Sequence, residues 1–143
     1  IIYGSMYGNT AKLADCIARK LSEEGIKKIR IYDASKTHLS YLINEIWKYK
    51  GVILGSCAYN SSMLPTMENL TRNLEHIGIK NRFLGLFGSY SWNGGGAKAL
   101  FKFQENMQWD LVSDPIDTRG IPNTESYERC QEIAKAMAEK LKI

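Results

Sequence analysis

Short apolar, β-branched runs alternate with longer stretches of helical period along the whole chain. "IIY" (1–3) reads as a strand. Residues 10–24 then place Leu13, Ile17 and Leu21 on one face with Ala14 and Ala18 beside them, and Gly25 stops the helix. "KKIRIYD" (27–33) alternates as a strand does, and residues 38–49 bring Leu39, Leu42, Ile43, Ile46 and Trp47 to a second helical face. "GVILGS" (51–56) is a continuous apolar run, as expected of a central strand covered on both faces. Pro65 suits the first turn of a third helix, with Met67, Leu70, Leu74 and Ile77 inward and Gly78 closing it. "RFLGLFGS" (82–89) is a second buried strand, and residues 96–107 set Leu100, Phe103 and Met107 on one helical face. A last strand falls within "WDLVSDPIDTRG" (109–120), where Pro115 demands an edge or a bulge. Asn123 or Thr124 caps the final helix, in which Tyr127, Cys130, Ile133, Ala134, Met137 and Leu141 recur at helical spacing.

Five strand–helix units without repeat or linker predict an α/β fold, a doubly wound parallel sheet with helices on both faces. The length, 143 residues, suits a single domain with a real core. Ligands of such sheets bind beyond the carboxyl ends of the strands, where the strand order reverses. The loops after strands one, three and four are therefore the places to look for function.

Composition narrows the field. With 44% hydrophobic and 24% charged residues the chain is ordinary for a globular domain. It has no apolar run near the ~18 residues of a membrane span and no leader-like start. The net charge of +4 is mild and unclustered, which argues against nucleic acid as a partner. Cys16, Cys57 and Cys130 are scattered, and His38 and His76 have no carboxylates at ligand spacing, so neither a disulfide framework nor a metal site is expected. The cytoplasm is the default location. The chain opens at Ile1, without methionine and partway into a short strand, so residues 1–143 are expected to be one domain cut from a longer chain with an upstream domain.

The first loop, "GSMYGNT" (4–10), crowds Ser5, Asn9 and Thr10 around Gly8 at a strand-to-helix turn. A helix N-terminus supplies aligned N–H groups and a positive dipole end, and hydroxyls and an amide add donors, so the loop suits a phosphate. No Lys or Arg lies within it. Walker A and GxGxxG strings are absent, and Gly4–Ser5 and Ser56–Cys57 stand where a receiver domain needs acids. "SCAYNSSM" (56–63) and "SYSWNGGG" (89–96) each carry aromatics among small polar residues: Tyr59 in one, Tyr90 and Trp92 in the other. Such walls suit a flat heterocycle, with Asn60, Ser89 and Asn93 placed to bond its polar edge and Gly94, Gly95 and Gly96 letting backbone approach. Phosphate at one end and a planar heterocycle at the other describe flavin mononucleotide (FMN).

"SMYGNT" resembles the phosphate-loop signature of flavodoxins. Closer still is the flavodoxin domain of A-type flavoproteins, the flavo-diiron proteins. That family's "GSPTYNNGMFP" is similar to "GSCAYNSSMLP" (55–65), and its "FGSYGWSGGA" to "FGSYSWNGGG" (87–96). The resemblance runs over essentially the whole chain. It implies a five-stranded sheet in the order 2-1-3-4-5. It also implies that Ser5, Met6, Tyr7, Gly8, Asn9 and Thr10 wrap the FMN phosphate. Ser56, Cys57, Ala58, Tyr59 and Asn60, with Ser89, Tyr90, Ser91, Trp92, Asn93, Gly94 and Gly95, would hold the ring, Tyr59 and Trp92 beside it. Cys57 and Ala58 replace the usual Pro-Thr, and Ser91 the usual Gly.

The flavin carries the chemistry in such proteins, so no catalytic acid, base, nucleophile or metal ligand is expected in this chain. The resemblance implies an electron relay: FMN takes electrons from a rubredoxin or a flavin reductase and passes them to a diiron domain that reduces oxygen or nitric oxide. Self-association into a dimer is a further implication. A free-standing flavodoxin carrier, an FMN-dependent NAD(P)H:quinone reductase and a flavinless assembly domain are the competing readings. The positive charge speaks against the first and the intact phosphate loop against the last.

Overall fold

The computed structural model describes residues 1–142. The elements follow the alternation of the sequence: β1 (Ile2–Gly4), α1 (Asn9–Glu23), β2 (Tyr32–Asp33), α2 (Leu39–Lys48), β3 (Gly51–Tyr59), β4 (Ser62–Met63), α3 (Pro65–Ile77), β5 (Phe83–Tyr90), α4 (Gly96–Met107), β6 (Asp110–Leu111), β7 (Ile116–Arg119) and α5 (Thr124–Leu141). The sheet runs β2-β1-β3-β5-β6, with β7 also on β5, and every one of these pairings is parallel. Counting β6 and β7 as one interrupted strand, this is the expected 2-1-3-4-5 order. The reversal of winding falls between β1 and β3, so their carboxyl ends diverge into a crevice.

Two apolar layers sandwich the sheet. Leu42, Leu54, Met67, Leu70, Leu84, Leu100 and Phe103 lie in the cluster under α2, α3 and α4; Leu13, Ile17, Ile53, Phe87, Ile133 and Met137 lie in the one under α1 and α5. Trp109 fills the first layer, edge-on to Phe103 at 5.5 Å, and its indole N–H donates to the Ile79 carbonyl at 2.8 Å. Gly55 leaves room on β3 for the Phe87 ring, which any Cβ there would overlap. Among the described residues no helix is long and apolar enough to cross a membrane.

Four details depart from the sequence pattern. The strand expected over 27–33 shrinks to Tyr32–Asp33, because β1 offers only Ile2 and Tyr3 as partners; Ile26 and Ile29 pack against the α1/α5 layer instead. Trp47 and Ile77 are 56% and 45% exposed, not inward. In α2 the buried stripe centres on Leu42, Glu45 and Ile46, with the Glu45 carboxylate bonded to the Tyr32 hydroxyl and the Lys48 ammonium. In α3 the left-handed Gly78 (φ 77°) ends the helix, and Ile79 beyond it takes the core position instead of Ile77. The last strand splits: β6 pairs with Phe83–Leu84 and β7 with Phe87–Tyr90, and Pro115, which has no N–H to donate, lies in the gap. β3 outruns residue 56 because its end folds into an antiparallel hairpin with β4.

Candidate functional site

Where β1 ends, the chain turns through Ser5 to Gly8, and α1 begins at Asn9. Gly8 adopts φ 89°, a left-handed conformation that suits glycine. The Gly8 N–H donates to Ser5 Oγ at 3.0 Å, which closes the loop on itself. No side chain caps α1 and no acid stands in its first turn. The first intrahelical bond runs from the Lys12 N–H to the Gly8 carbonyl, so the N–H groups ahead of it have no helical partner. The result is an uncapped positive helix end under a tight loop, a suitable seat for an anion.

The β3–β4 hairpin forms the second wall. Asn60 (φ 48°) and Ser61 (φ 60°) are both left-handed, as a two-residue hairpin turn requires, and they lift Tyr59 to the rim with 40% of its surface exposed. At the end of β5, Tyr90 and the residues that follow it to Asn93 form the third wall, with Trp92 89% exposed. Gly95 (φ 148°) lies against the hairpin tip so closely that a Cβ would overlap the Ser61 carbonyl. A buried bond of 2.7 Å between the Thr10 and Ser89 hydroxyls ties the first loop to the third. Three loops from three strands are thus locked to one another at one edge of the sheet.

They enclose an open cleft of about 460 Å³, within the range of small-molecule sites. Lining it are Ser5, Met6, Tyr7 and Asn9 from the first loop; Cys57, Ala58, Tyr59, Asn60 and Ser61 from the second; and Ser89, Tyr90, Ser91, Trp92 and Asn93 from the third. None of these residues is charged. Burial pushes the Cys57 thiol up from its ordinary pKa, so it stays protonated and a poor nucleophile at neutral pH. Among the described residues no group of three or more His, Cys, Asp or Glu side chains could hold a metal ion.

The remaining residues singled out in the sequence stand behind the cleft. Thr10 and Ser56 are fully buried. Ser56 Oγ accepts the Leu64 N–H and donates to the Cys57 carbonyl, both at 2.8 Å, so it stitches the base of the hairpin. Gly8, Gly94 and Gly95 shape backbone without lining the space. Sequence reasoning did not single out Ser61, whose place on the wall follows from the hairpin turn. It also passed over Asp117 on β7, opposite Gly88, which no local motif marks.

An uncharged anion seat at the start of α1, with aromatic Tyr59 and Trp92 and amide-bearing Asn60 and Asn93 in the cleft lining, supplies the kinds of group that a phosphate, a flat ring and a polar ring edge call for. The residues present therefore fit FMN. Large aromatic surfaces left wet are the unusual element here, and a stacked ring is what would cover them.

Comparison with known proteins agrees. The family described as flavodoxin matches over residues 1–110. Rubredoxin-oxygen oxidoreductase of Megalodesulfovibrio gigas is 28% identical over 142 residues, 99% of this chain and 35% of that protein. The solved structure of the rubredoxin oxygen:oxidoreductase from Desulfovibrio gigas superposes with a TM-score of 0.94, again at 28% identity and over 99% of this chain and 35% of that one. The Flv1 flavodiiron core from Synechocystis gives 0.89 at 27% identity, over 99% and 35%. An archaeal flavodoxin shares the fold at 0.87 and 20% identity, over 99% of this chain and 96% of its own. The chain spans about a third of the length of the curated relatives it matches.

Proposed function

The chain belongs to the flavodoxin family, whose cofactor is FMN, and on that premise we propose that it is an electron-relay domain of the flavodiiron type. It would take electrons from a rubredoxin or a flavin reductase and deliver them to a diiron centre on another domain. The observation that carries this reading is the uncharged cleft between an uncapped α1 and the Tyr59 and Trp92 walls. The flavodiiron-type likeness at 27–28% identity supports the assignment within the family.

In this reading the first turn of α1, Ser5 Oγ and the Asn9 amide hold the phosphate. The helix dipole substitutes for a lysine or arginine. Bound FMN supplies the capacity to accept and release electrons singly or in pairs. Tyr59 and Trp92 orient the ring and keep water off its faces. The Asn60 and Asn93 side chains meet its polar edge. The neutral Cys57 thiol adds no charge beside the ring, so its influence there is one of shape. The cleft is open to the surface, so a ring held in it would stay accessible to a redox partner.

A free-standing carrier is the second reading, favoured by the archaeal flavodoxin matched over 96% of its length. The test that decides begins with FMN added to the purified chain: a yellow protein with quenched flavin fluorescence is expected, and a chain that stays colourless overturns the proposal. The loaded chain is then reduced by rubredoxin and mixed with a flavodiiron protein stripped of its FMN. Electron delivery to that protein's iron supports the relay. Delivery only to freely diffusing acceptors supports the carrier, and rapid turnover of quinone with NAD(P)H supports a reductase.

A further inference from the structure

Asp117 lies on β7 directly opposite Gly88, in the strand next to the one that leads into the aromatic loop. Its Oδ1 is buried without a hydrogen-bond partner among the described residues. Such an orphan is costly, and native proteins leave few of them without a role. The carboxyl is wedged between two glycines. Oδ1 is 3.1 Å from the point a Gly88 Cβ would occupy, a point also bordered by the Ser56 carbonyl at 3.0 Å and the Ala97 N–H at 3.1 Å. Oδ2 is 3.0 Å from the corresponding point at Gly94, beside the Tyr90 ring. One side chain therefore bridges the two ends of the segment that carries Ser89 to Asn93, at the foot of α4, which has neither a side-chain cap nor an acid in its first turn.

We propose that Asp117 is a positioning residue for the cofactor loop, a strut between Gly88 and Gly94 that couples the packing of this loop to the binding of a proton. The proposal rests on the FMN reading, since that reading makes the loop a cofactor wall. Burial raises the Asp117 carboxyl to about 6, and it is the single cause of the shift. The charged groups on the surrounding elements, Lys98 on α4, Arg119 and Asp114 near it in the chain and Glu128 on α5, are all exposed to water. The other titratable groups packed nearby are Tyr90 on β5 and Cys57 on β3, whose thiol burial pushes up. In its protonated form the carboxyl needs no counter-charge beneath the loop. Once ionised it needs donors, and the α4 N–H groups ahead of Ala99, which have no helical partner, begin on the far side of Gly94 and Gly95. Reaching them means shifting the Gly94–Gly96 backbone, and the Trp92 wall with it.

Bound FMN covers this loop, removes more water and brings a negative phosphate to the same edge, so it favours the protonated carboxyl. By linkage, FMN then binds more weakly as pH rises through about 6. The same sign holds for folding: a carboxyl whose folded pKa lies above its unfolded one makes its contribution below both values and loses it as pH rises through that window.

The test is FMN titration by fluorescence quenching between about pH 5 and about pH 8, on the unaltered chain and on Asp117→Asn, which keeps the shape and cannot ionise. The FMN phosphate titrates equally in both, so the difference between them belongs to Asp117. We expect the Kd of the unaltered chain to rise about tenfold more across the range than that of the variant. Parallel curves overturn the proposal. A second measurement covers a variant that fails to fold. In the unaltered, FMN-free chain the amide resonances of Gly88, Gly94 and Ala97 should titrate together near pH 6, and a common midpoint at the usual carboxylate value overturns it. A chain whose amides titrate near 6 but which takes up no FMN refutes the flavin reading and leaves the strut standing.

Discussion

Trp92 keeps 89% of its surface in water, yet it belongs to a loop whose neighbours are tightly held: Ser89 bonds Thr10 at 2.7 Å, and Gly95 abuts Ser61. An exposed indole on a fixed loop contributes little to folding and much to a ligand that stacks on it. Trp92→Ala should therefore leave the melting temperature of the FMN-free chain unchanged, while losing about 1 kcal/mol of FMN binding, roughly fivefold in Kd. Paired thermal melts and fluorescence titrations check this, and an equal loss in both would mean that Trp92 is a packing residue. The cleft was legible in the sequence because its chemistry is local: hydroxyls, amides and aromatics sit within a few residues of a strand end. Asp117 was not, because an aspartate in a strand looks like any solvated acid until β7 is paired with β5. Ser56 illustrates the reverse case. It stands in the motif, but its hydroxyl is spent on Leu64 N–H and the Cys57 carbonyl.

Helices with strong local signals follow their pattern closely. Pro65 opens α3, Gly78 closes it, and α4 spans Gly96–Met107. The α5 start is the most explicit: Asn123 Oδ1 accepts the Ser126 N–H at 2.9 Å while Ser126 Oγ accepts the Asn123 N–H at 3.3 Å, a reciprocal capping box. Asn123→Ala should cost about 1 kcal/mol, lowering the melting temperature by a few degrees in a domain of this size. Calorimetry checks it, with FMN affinity expected to be unaffected because no α5 residue lines the cleft. Strands obey a different rule, since a strand exists only where a partner offers hydrogen bonds. Hence 27–33 reads as seven residues of strand and delivers two beside the short β1, and the stretch after Trp109 divides around Pro115. Trp47 and Ile77 were misplaced for a related reason, because helical period marks a stripe but not its width or where the next element takes over.

At the scale of the molecule, the three cleft loops leave from β1, β3 and β5, the strands at and beside the reversal of winding. A ligand bound there bridges elements far apart in sequence, as Thr10 and Ser89 already do across 79 positions. FMN held at one hundred times its Kd should accordingly stabilise the whole domain by about 2.7 kcal/mol. Denaturant titrations with and without FMN check this, with the midpoint moving and the slope unchanged. A shift confined to local probes on the loops would show that the site and the core unfold separately. The net charge of +4 is spread over the surface rather than gathered at the cleft, whose lining is neutral. Any electrostatic steering of a redox partner therefore comes from the rim and should weaken with salt.

By itself the sequence determined the alternation of strands and helices, the helix ends with explicit caps, the doubly wound class and the clustering of hydroxyl, amide and aromatic groups in three loops. All of these follow from residues within a turn or two of one another, where period, caps and side-chain chemistry act locally. Tertiary structure alone decided how long each strand is, which apolar residues stay at the surface, which motif hydroxyls face the cleft and which serve the backbone. It alone placed Asp117 against Gly88 and Gly94, at the two ends of the loop that carries Trp92. Those outcomes depend on hydrogen bonds and burial between segments distant in the chain, and no local pattern encodes the distance between Asp117 and Gly94.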